Sequence, residues 1–383
     1  MIISRVILKN WRNFRFVDVP LTDRAFLLGP NACGKSNFLD VFRFLRDIAK
    51  PGGGLQSALA RRGGLSKIRC LSARKSPDVE IEVHLSDAAV TWRYAIGIRQ
   101  LSRGSRHTYL SYEKIWKDNT LLLERPDKDD SKDDKRLTQT HLEQIATNLQ
   151  FRDISNFFES VLYLHLVPQL IRHPEAFSGP GMPEDPFGKN FMERVAKTSD
   201  KTRKARLKKI GEALRIAVPQ MKDLTDIRDE LGTPHLEAVY EHWRPNKAGK
   251  QREDQFSDGT LRLIALLWLL LESNSLLLLE EPELSLNSSI IRELPGLIYR
   301  LQSRKKAKHR QLILSTHSSD LLLDKGIGGE EVLLLSPGKE GTEIQIASSD
   351  EEIRTLLEGG LSVADAVLPL TAPERIRQLG LFS

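Results

Sequence analysis

A chain of 383 residues with 40% hydrophobic and 28% charged side chains carries enough apolar mass for one large or two ordinary domains, which excludes a disordered or fibrous chain. Its 57 basic and 51 acidic residues leave a net charge of +6, compatible with a polyanionic partner but too mild to demonstrate one. The two cysteines, Cys33 and Cys70, exclude a disulfide scaffold and predict a reducing, cytoplasmic compartment.

The opening MIISRVILKNWRNF has neither the apolar core nor the small-residue cleavage site of an export signal. Short apolar or alternating segments at Ile2–Leu8, Phe14–Val19 and Ala25–Leu28 predict strands. A Gly-rich turn then leads into Asn37–Ile48, whose apolar residues recur at helical spacing, and Pro51-Gly52-Gly53-Gly54 stops that helix. Alternation at Val79–Leu85, Thr91–Ile98 and Tyr109–Trp116 predicts a flanking antiparallel sheet. The charged run Asp127–Lys135 and the Gly/Pro-rich Ser178–Pro186 read as exposed loops. Helical patterns over Leu142–Leu166 and Phe191–Val218 predict a mostly helical insertion lobe at 105–250, between an N-terminal core part at 1–104 and a C-terminal core part at 251–383. No internal repeat or sustained heptad is present.

From Gln255 onward the order is a Ser-Asp-Gly turn, an apolar helix at Leu261–Leu271, a strand at Leu276–Leu279, a helix to about Leu301 and a strand at Leu312–Ser315. The apolar helix is well short of the ~20 residues that cross a membrane, so it reads as core and no membrane partner is expected. Alternating strands and helices predict a mainly parallel α/β core that binds ligands beyond the carboxyl ends of its strands.

Gly29-Pro30-Asn31-Ala32-Cys33-Gly34-Lys35-Ser36 fits G-x-x-x-x-G-K-[ST] between a strand and a helix. This pattern binds ATP with Mg²⁺. Backbone amides of Gly29, Asn31, Ala32, Cys33, Gly34 and Asn37 face the phosphates, Lys35 reaches the β and γ phosphates, and the Ser36 hydroxyl ligates the metal. The strand Leu276–Leu279 delivers Glu280 and Glu281 to its end, where Glu280 is expected to hold magnesium and Glu281 to polarise the attacking water; two surface acids are the plainer alternative. Ser257 or Asp258 reads as an ordinary helix cap, and His317, just past a strand, as a satisfied core histidine, when each is taken alone.

Taken in order, the phosphate loop, the Ser257-Asp258-Gly259 turn, the Glu-Glu-Pro-Glu strand end and Ser315-Thr316-His317 resemble the ABC-type ATPase heads of the RecF, SMC and OLD group. The opening Ile7–Phe14 resembles that group's first strand and turn, and the whole is similar to compact bacterial "AAA family" ATPases of anti-phage defence. The resemblance implies an α/β fold: an ABC-ATPase-like P-loop NTPase core with a mixed sheet, a flanking antiparallel sheet and a helical insertion. It also implies a homodimer that sandwiches ATP, in which Ser257 and Gly259 of one subunit meet the γ-phosphate held by Lys35 of the other. His317 would be the switch histidine, catalytic beside Glu281 and Lys35, with Arg12 and Asn13 near the base or the phosphates. A separate effector, nuclease or toxin, and DNA are the implied partners.

Two departures bear on turnover: Glu280 stands where relatives usually carry Asp, and Leu286-Asn287-Ser288 where many have Leu-His-Pro. No Q-loop glutamine is assigned; Gln56 lies in a Gly-rich context. A low-turnover ATP-bound scaffold and a RecF-like DNA repair ATPase are therefore the alternatives, and a transporter subunit is disfavoured. The basic runs Lys201–Lys209 and Arg304–Arg310 are either phosphate-binding or solvated faces. Cys33 inside the loop is a candidate site of oxidation.

Overall fold

The computed structural model describes residues 1–73, 78–87, 89–100, 107–176, 185–241, 249–272, 275–303 and 310–371, with the backbone alone for 301–303. The first three strands, β1 (Ile2–Trp11), β2 (Phe14–Pro20) and β3 (Arg24–Leu28), lead through the Gly-rich turn into the helix Lys35–Ala49. There follow β4 (Val79–Asp87), β5 (Val90–Gln100), β6 (Thr108–Lys117), β7 (Thr120–Arg125) and β8 (Leu162–Leu164). Farther on come β9 (Met221–Arg228), β10 (Pro234–Tyr240), β11 (Lys250–Arg252), β12 (Leu277–Glu280), β13 (Leu312–Ser315), β14 (Val332–Gly338) and β15 (Gly341–Ile346).

Two six-stranded sheets carry the architecture. One is antiparallel, in the order β2-β1-β4-β5-β6-β7. Its strand β4 buries Val79, Ile81, Val83 and Leu85 and turns Glu80, Glu82 and His84 outward, the alternation of a sheet with one wet face. The other runs β15-β14-β3-β13-β12-β8, with every pair parallel except β14–β15. Its central strands bury both faces. Leu276 and Leu278 join Ala25, Leu27 and Ile313 in a core against the helices Lys35–Ala49 and Arg152–Glu159 and the antiparallel sheet. Leu277 and Leu279 join Phe26, Leu28, Leu312 and Leu314 in a second core against the helix Asp258–Glu272. Burial on both faces explains why these strands read as continuous apolar runs.

The expectation of a mostly helical stretch over 105–250 is corrected. Helices Arg152–Glu159, Phe191–Lys197 and Asp200–Ala217 are present, but β6 and β7 complete the antiparallel sheet, β8 is the outer strand of the parallel one, and β9–β11 form a third, three-stranded sheet. The alternation that would have marked β9 as a strand is broken by a local cause. Asp223 adopts φ 45° and the β9–β10 register shifts there, so buried Met221 and Leu224 fall three residues apart, the spacing of a helix face. The three residues of β8 are too few to show any period.

The charged run 127–135 is exposed at seven of its nine residues, as expected, and the buried exception is Asp130. Asp130 and Arg125 are fully buried as an ion pair at 2.8 Å, with Arg136 on the same carboxylate and Glu113 at 3.2 Å on the Arg125 guanidinium. Burial opposes ionisation of Asp130, but the Arg125 hydrogen bond and charge outweigh it and hold the carboxyl far below its ordinary range. Most of the loop 178–186 and the basic run 304–310 lie outside the described residues.

Candidate functional site

Because β3, β13 and β12 are adjacent and parallel, with Ser315 opposite both Leu27 and Glu280, their carboxyl ends bring three loops to one edge of the sheet. The first is the turn 29–34. Gly34 caps the following helix at φ 105° with no side-chain cap, leaving first-turn amides without the partner that Ser or Asp would supply. A Cβ at Gly34 would collide with the Asn13 amide, so glycine is needed for both conformation and space. Lys35 is buried at 8% exposure and donates to the carbonyls of Gly29 (3.0 Å) and Pro30 (3.2 Å). Burial lowers its pKa, with Cys33, Glu281 and Glu280 opposing. An ammonium held by carbonyls at the start of a 15-residue helix is a site for anionic oxygen.

The second loop begins at Glu280. Ser36 donates to one carboxylate oxygen of Glu280 and Tyr163 of β8 donates to the other at 2.5 Å. A hydroxyl and a carboxylate in direct contact beside a buried ammonium form the hard-oxygen donor set that suits Mg²⁺. Glu281 has φ 45°, donates its amide to the Ser315 carbonyl (3.0 Å), and accepts at its carbonyl from Arg262 (3.2 Å). Its carboxylate thus faces His317, 4.0 Å away at Nε2.

The third loop carries His317. Glu283, buried at 7% exposure, accepts from the Thr316 hydroxyl (2.5 Å) and the His317 amide (3.2 Å), which fixes the turn. Burial lowers the His317 pKa, the Lys35 charge lowers it further, and Glu281 opposes, so the imidazole is neutral at pH 7.

Arg12 and Asn13 support this edge from behind. The Asn13 amide donates to the Cys33 carbonyl and the Thr342 hydroxyl (both 2.7 Å) and accepts from Asn37 (2.8 Å). Arg12 pairs at 2.7 Å with Asp40, which Arg62 also holds. Asn31, Ala32 and Ser36 are exposed at the loop surface. Cys33 is buried and its thiol is pushed up by that burial, so it lacks the thiolate character that oxidation requires. Gln56 donates to the Thr108 and Thr138 carbonyls and is occupied structurally.

The structure therefore gathers Lys35, Ser36, Glu280, Glu281 and His317, while Ser257 and Gly259 have other neighbours. Ser257 is exposed and its Oγ lies 2.9 Å from the Thr260 hydroxyl; Gly259 packs against the Ser285 carbonyl, where a Cβ would not fit. Sequence reasoning missed Tyr163, Thr342, Arg262 and Glu283. Only Glu283 had a signal, as the last residue of Glu-Glu-Pro-Glu.

Residues 24–324 match the family described as "AAA domain, putative AbiEii toxin, Type IV TA system". The chain belongs to this AAA-domain family. Among solved structures, the SMC head bound to the C-winged helix domain of ScpA aligns with a TM-score of 0.54 at 13% identity, over 90% of the AAA-domain chain and 97% of that chain. An SMC head domain with an extended coiled coil, bound to the C-terminal domain of ScpA derived from Pyrococcus furiosus, aligns at 0.49 with 12% identity, over 94% and 99%. The SMC head domain from Thermotoga maritima aligns at 0.45 with 12% identity, over 90% and 99%. No curated protein sequence matches. The first likeness identifies the fold as the ABC-type P-loop core of SMC heads, as the order of motifs implied. No helix among the described residues is long and apolar enough to cross a membrane.

Proposed function

We propose that this AAA-domain protein binds and hydrolyses ATP, closes into a homodimer around two nucleotides, and uses that cycle to control a separate effector in antiviral defence. The observation that carries the reading is the meeting of Lys35, the Ser36–Glu280 pair and the facing Glu281 and His317 at the ends of three adjacent parallel strands. Magnesium, held by Ser36 and Glu280, would neutralise charge developing on the phosphates. Lys35 and the helix amides bind the β and γ phosphates, and Glu281 accepts the proton of the attacking water. Neutral His317, pinned through Glu283, donates to the γ-phosphate. Arg12 and Asn13 act by bracing the loop.

Ser257 stands exposed on its turn, its side chain bonded locally to Thr260, so that its other side is open to a second subunit. The family description, which names a toxin system, supports an effector partner. DNA is the proposed polyanion, with exposed Lys201, Lys204, Lys208 and Lys209 on the helix Asp200–Ala217 as its contacts. One observation favours the low-turnover scaffold as second reading: both oxygens of Glu280 are already engaged, by Ser36 and Tyr163.

Glu281→Gln tests the reading. Turnover is expected to fall at least about a hundredfold while ATP still binds and dimers persist in sedimentation; unchanged turnover overturns the assignment.

A further inference from the structure

The turn Phe256–Gly259 is held by side chains from outside its own helix. Arg172 donates through one nitrogen, Nη2, to the Asp258 carboxylate at 2.6 Å and to the Phe256 carbonyl at 2.7 Å. Gln169 donates to the other Asp258 oxygen at 2.7 Å. Both carboxylate oxygens of Asp258 are therefore engaged, the ring of Phe256 is buried at 2% exposure, and Gly259 abuts the Ser285 carbonyl from the opposite side. Of the four residues Ser257 is the exposed one, while Asp258 and Gly259 are half-buried. A helix cap alone needs none of this: Ser257 already accepts the Thr260 amide at 3.2 Å.

Arg172 and Gln169 lie on the short helix Pro168–Arg172, a few residues beyond β8, whose Tyr163 hydroxyl holds Glu280. One continuous segment, 162–172, thus touches the metal carboxylate of a subunit at one end and the turn it offers to a second subunit at the other. We infer that Arg172, assisted by Gln169, is a positioning residue that holds the Ser257–Gly259 turn in the shape that completes the ATP site of the partner subunit. The inference rests on the sandwich dimer proposed above. Its physical basis is charge-assisted hydrogen bonding at partial burial: Arg172 and Asp258 side chains keep 19% and 33% of their exposure, enough shielding for the pair to set a geometry. Neither residue touches Lys35, Glu280 or Glu281, so ATP capture by the subunit's own loop does not depend on them.

Arg172→Ala and Arg172→Lys, each also carrying Glu281→Gln, test this against the Glu281→Gln parent. Fluorescent ATP analogue should bind all three within about threefold, whereas the ATP concentration that half-saturates dimerisation should rise at least about tenfold for Arg172→Ala, with Arg172→Lys between. Mixing decides between positioning and mere support of the fold. With wild-type Glu281, and ATP held below the concentration that half-saturates wild-type dimerisation, Arg172→Ala and Lys35→Ala chains should each be nearly inactive alone. An equal mixture should recover about a quarter of wild-type turnover, because half the dimers pair an intact loop with an intact turn once. A mixture that stays inactive while both chains melt like wild type overturns the inference, as does an Arg172→Ala chain that dimerises and turns over normally. Failure of the Glu281→Gln parent itself to dimerise with ATP would sink the sandwich reading and this inference with it. Normal dimerisation of the parent confines any failure to Arg172.

Discussion

Lys35 and Ser36 hang on a single strand, loop and helix, and the loop's own carbonyls hold the Lys35 ammonium. The turn Ser257–Gly259 instead takes its shape from Arg172 and Gln169, 86 and 89 residues upstream of Asp258. The difference teaches where each half is vulnerable. A site made of backbone at a helix N-terminus survives most side-chain changes except at the lysine and glycines themselves, while a turn held by remote side chains is open to control by the segment that carries them.

The largest effect expected from breaking this contrast is on the local half: Lys35→Ala should weaken ATP binding at least about a hundredfold in calorimetry while leaving Ser257 able to serve an intact partner. Smaller, and diagnostic of the link between loops, is Glu283→Ala. It strips the acceptor from the Thr316 hydroxyl and the His317 amide, so turnover should fall about tenfold with ATP affinity held within about threefold. Equal losses in both quantities would show that Glu283 serves the loop as a whole instead.

The smallest effect on the site itself is expected from the brace behind the loop, whose change is read in stability. Burial would raise the Asp40 carboxyl, but hydrogen bonds and charge from Arg62, and then Arg12, outweigh it and leave the group below its ordinary range. A depressed carboxylate contributes stability that is fully present above about pH 4, its unfolded value, and that is lost as pH falls through the lower folded value. Asp40→Asn should therefore cost about 2 kcal/mol in urea unfolding at pH 7, and the gap to wild type should narrow below about pH 4. A gap that widens in acid would contradict the sign.

Much of the site was legible because its determinants are contiguous. Gly29–Ser36 must be a short run, since a helix N-terminus and its loop are built from neighbouring residues, and Glu280-Glu281 must follow an apolar strand. Tyr163 left no mark, because a three-residue strand has no period. Asp130 was misread because a buried carboxylate with two arginines has the same letters as a solvated one. β9 was not picked out as a strand, because a left-handed residue at Asp223 breaks the alternation that would mark one.

The sequence by itself determined the phosphate loop, the acidic strand end, the three central strands β3, β12 and β13 with the helices that follow β3 and β12, and through them the fold group, since these depend on local geometry and on which residues can be buried. Tertiary structure alone decided that Glu280 is held by Tyr163, that Glu283 pins His317, and that Arg172 clamps Asp258. Each is a contact between residues more than thirty positions apart. Such pairs are set by how the sheets stack and where β8 is inserted, and no local periodicity records them.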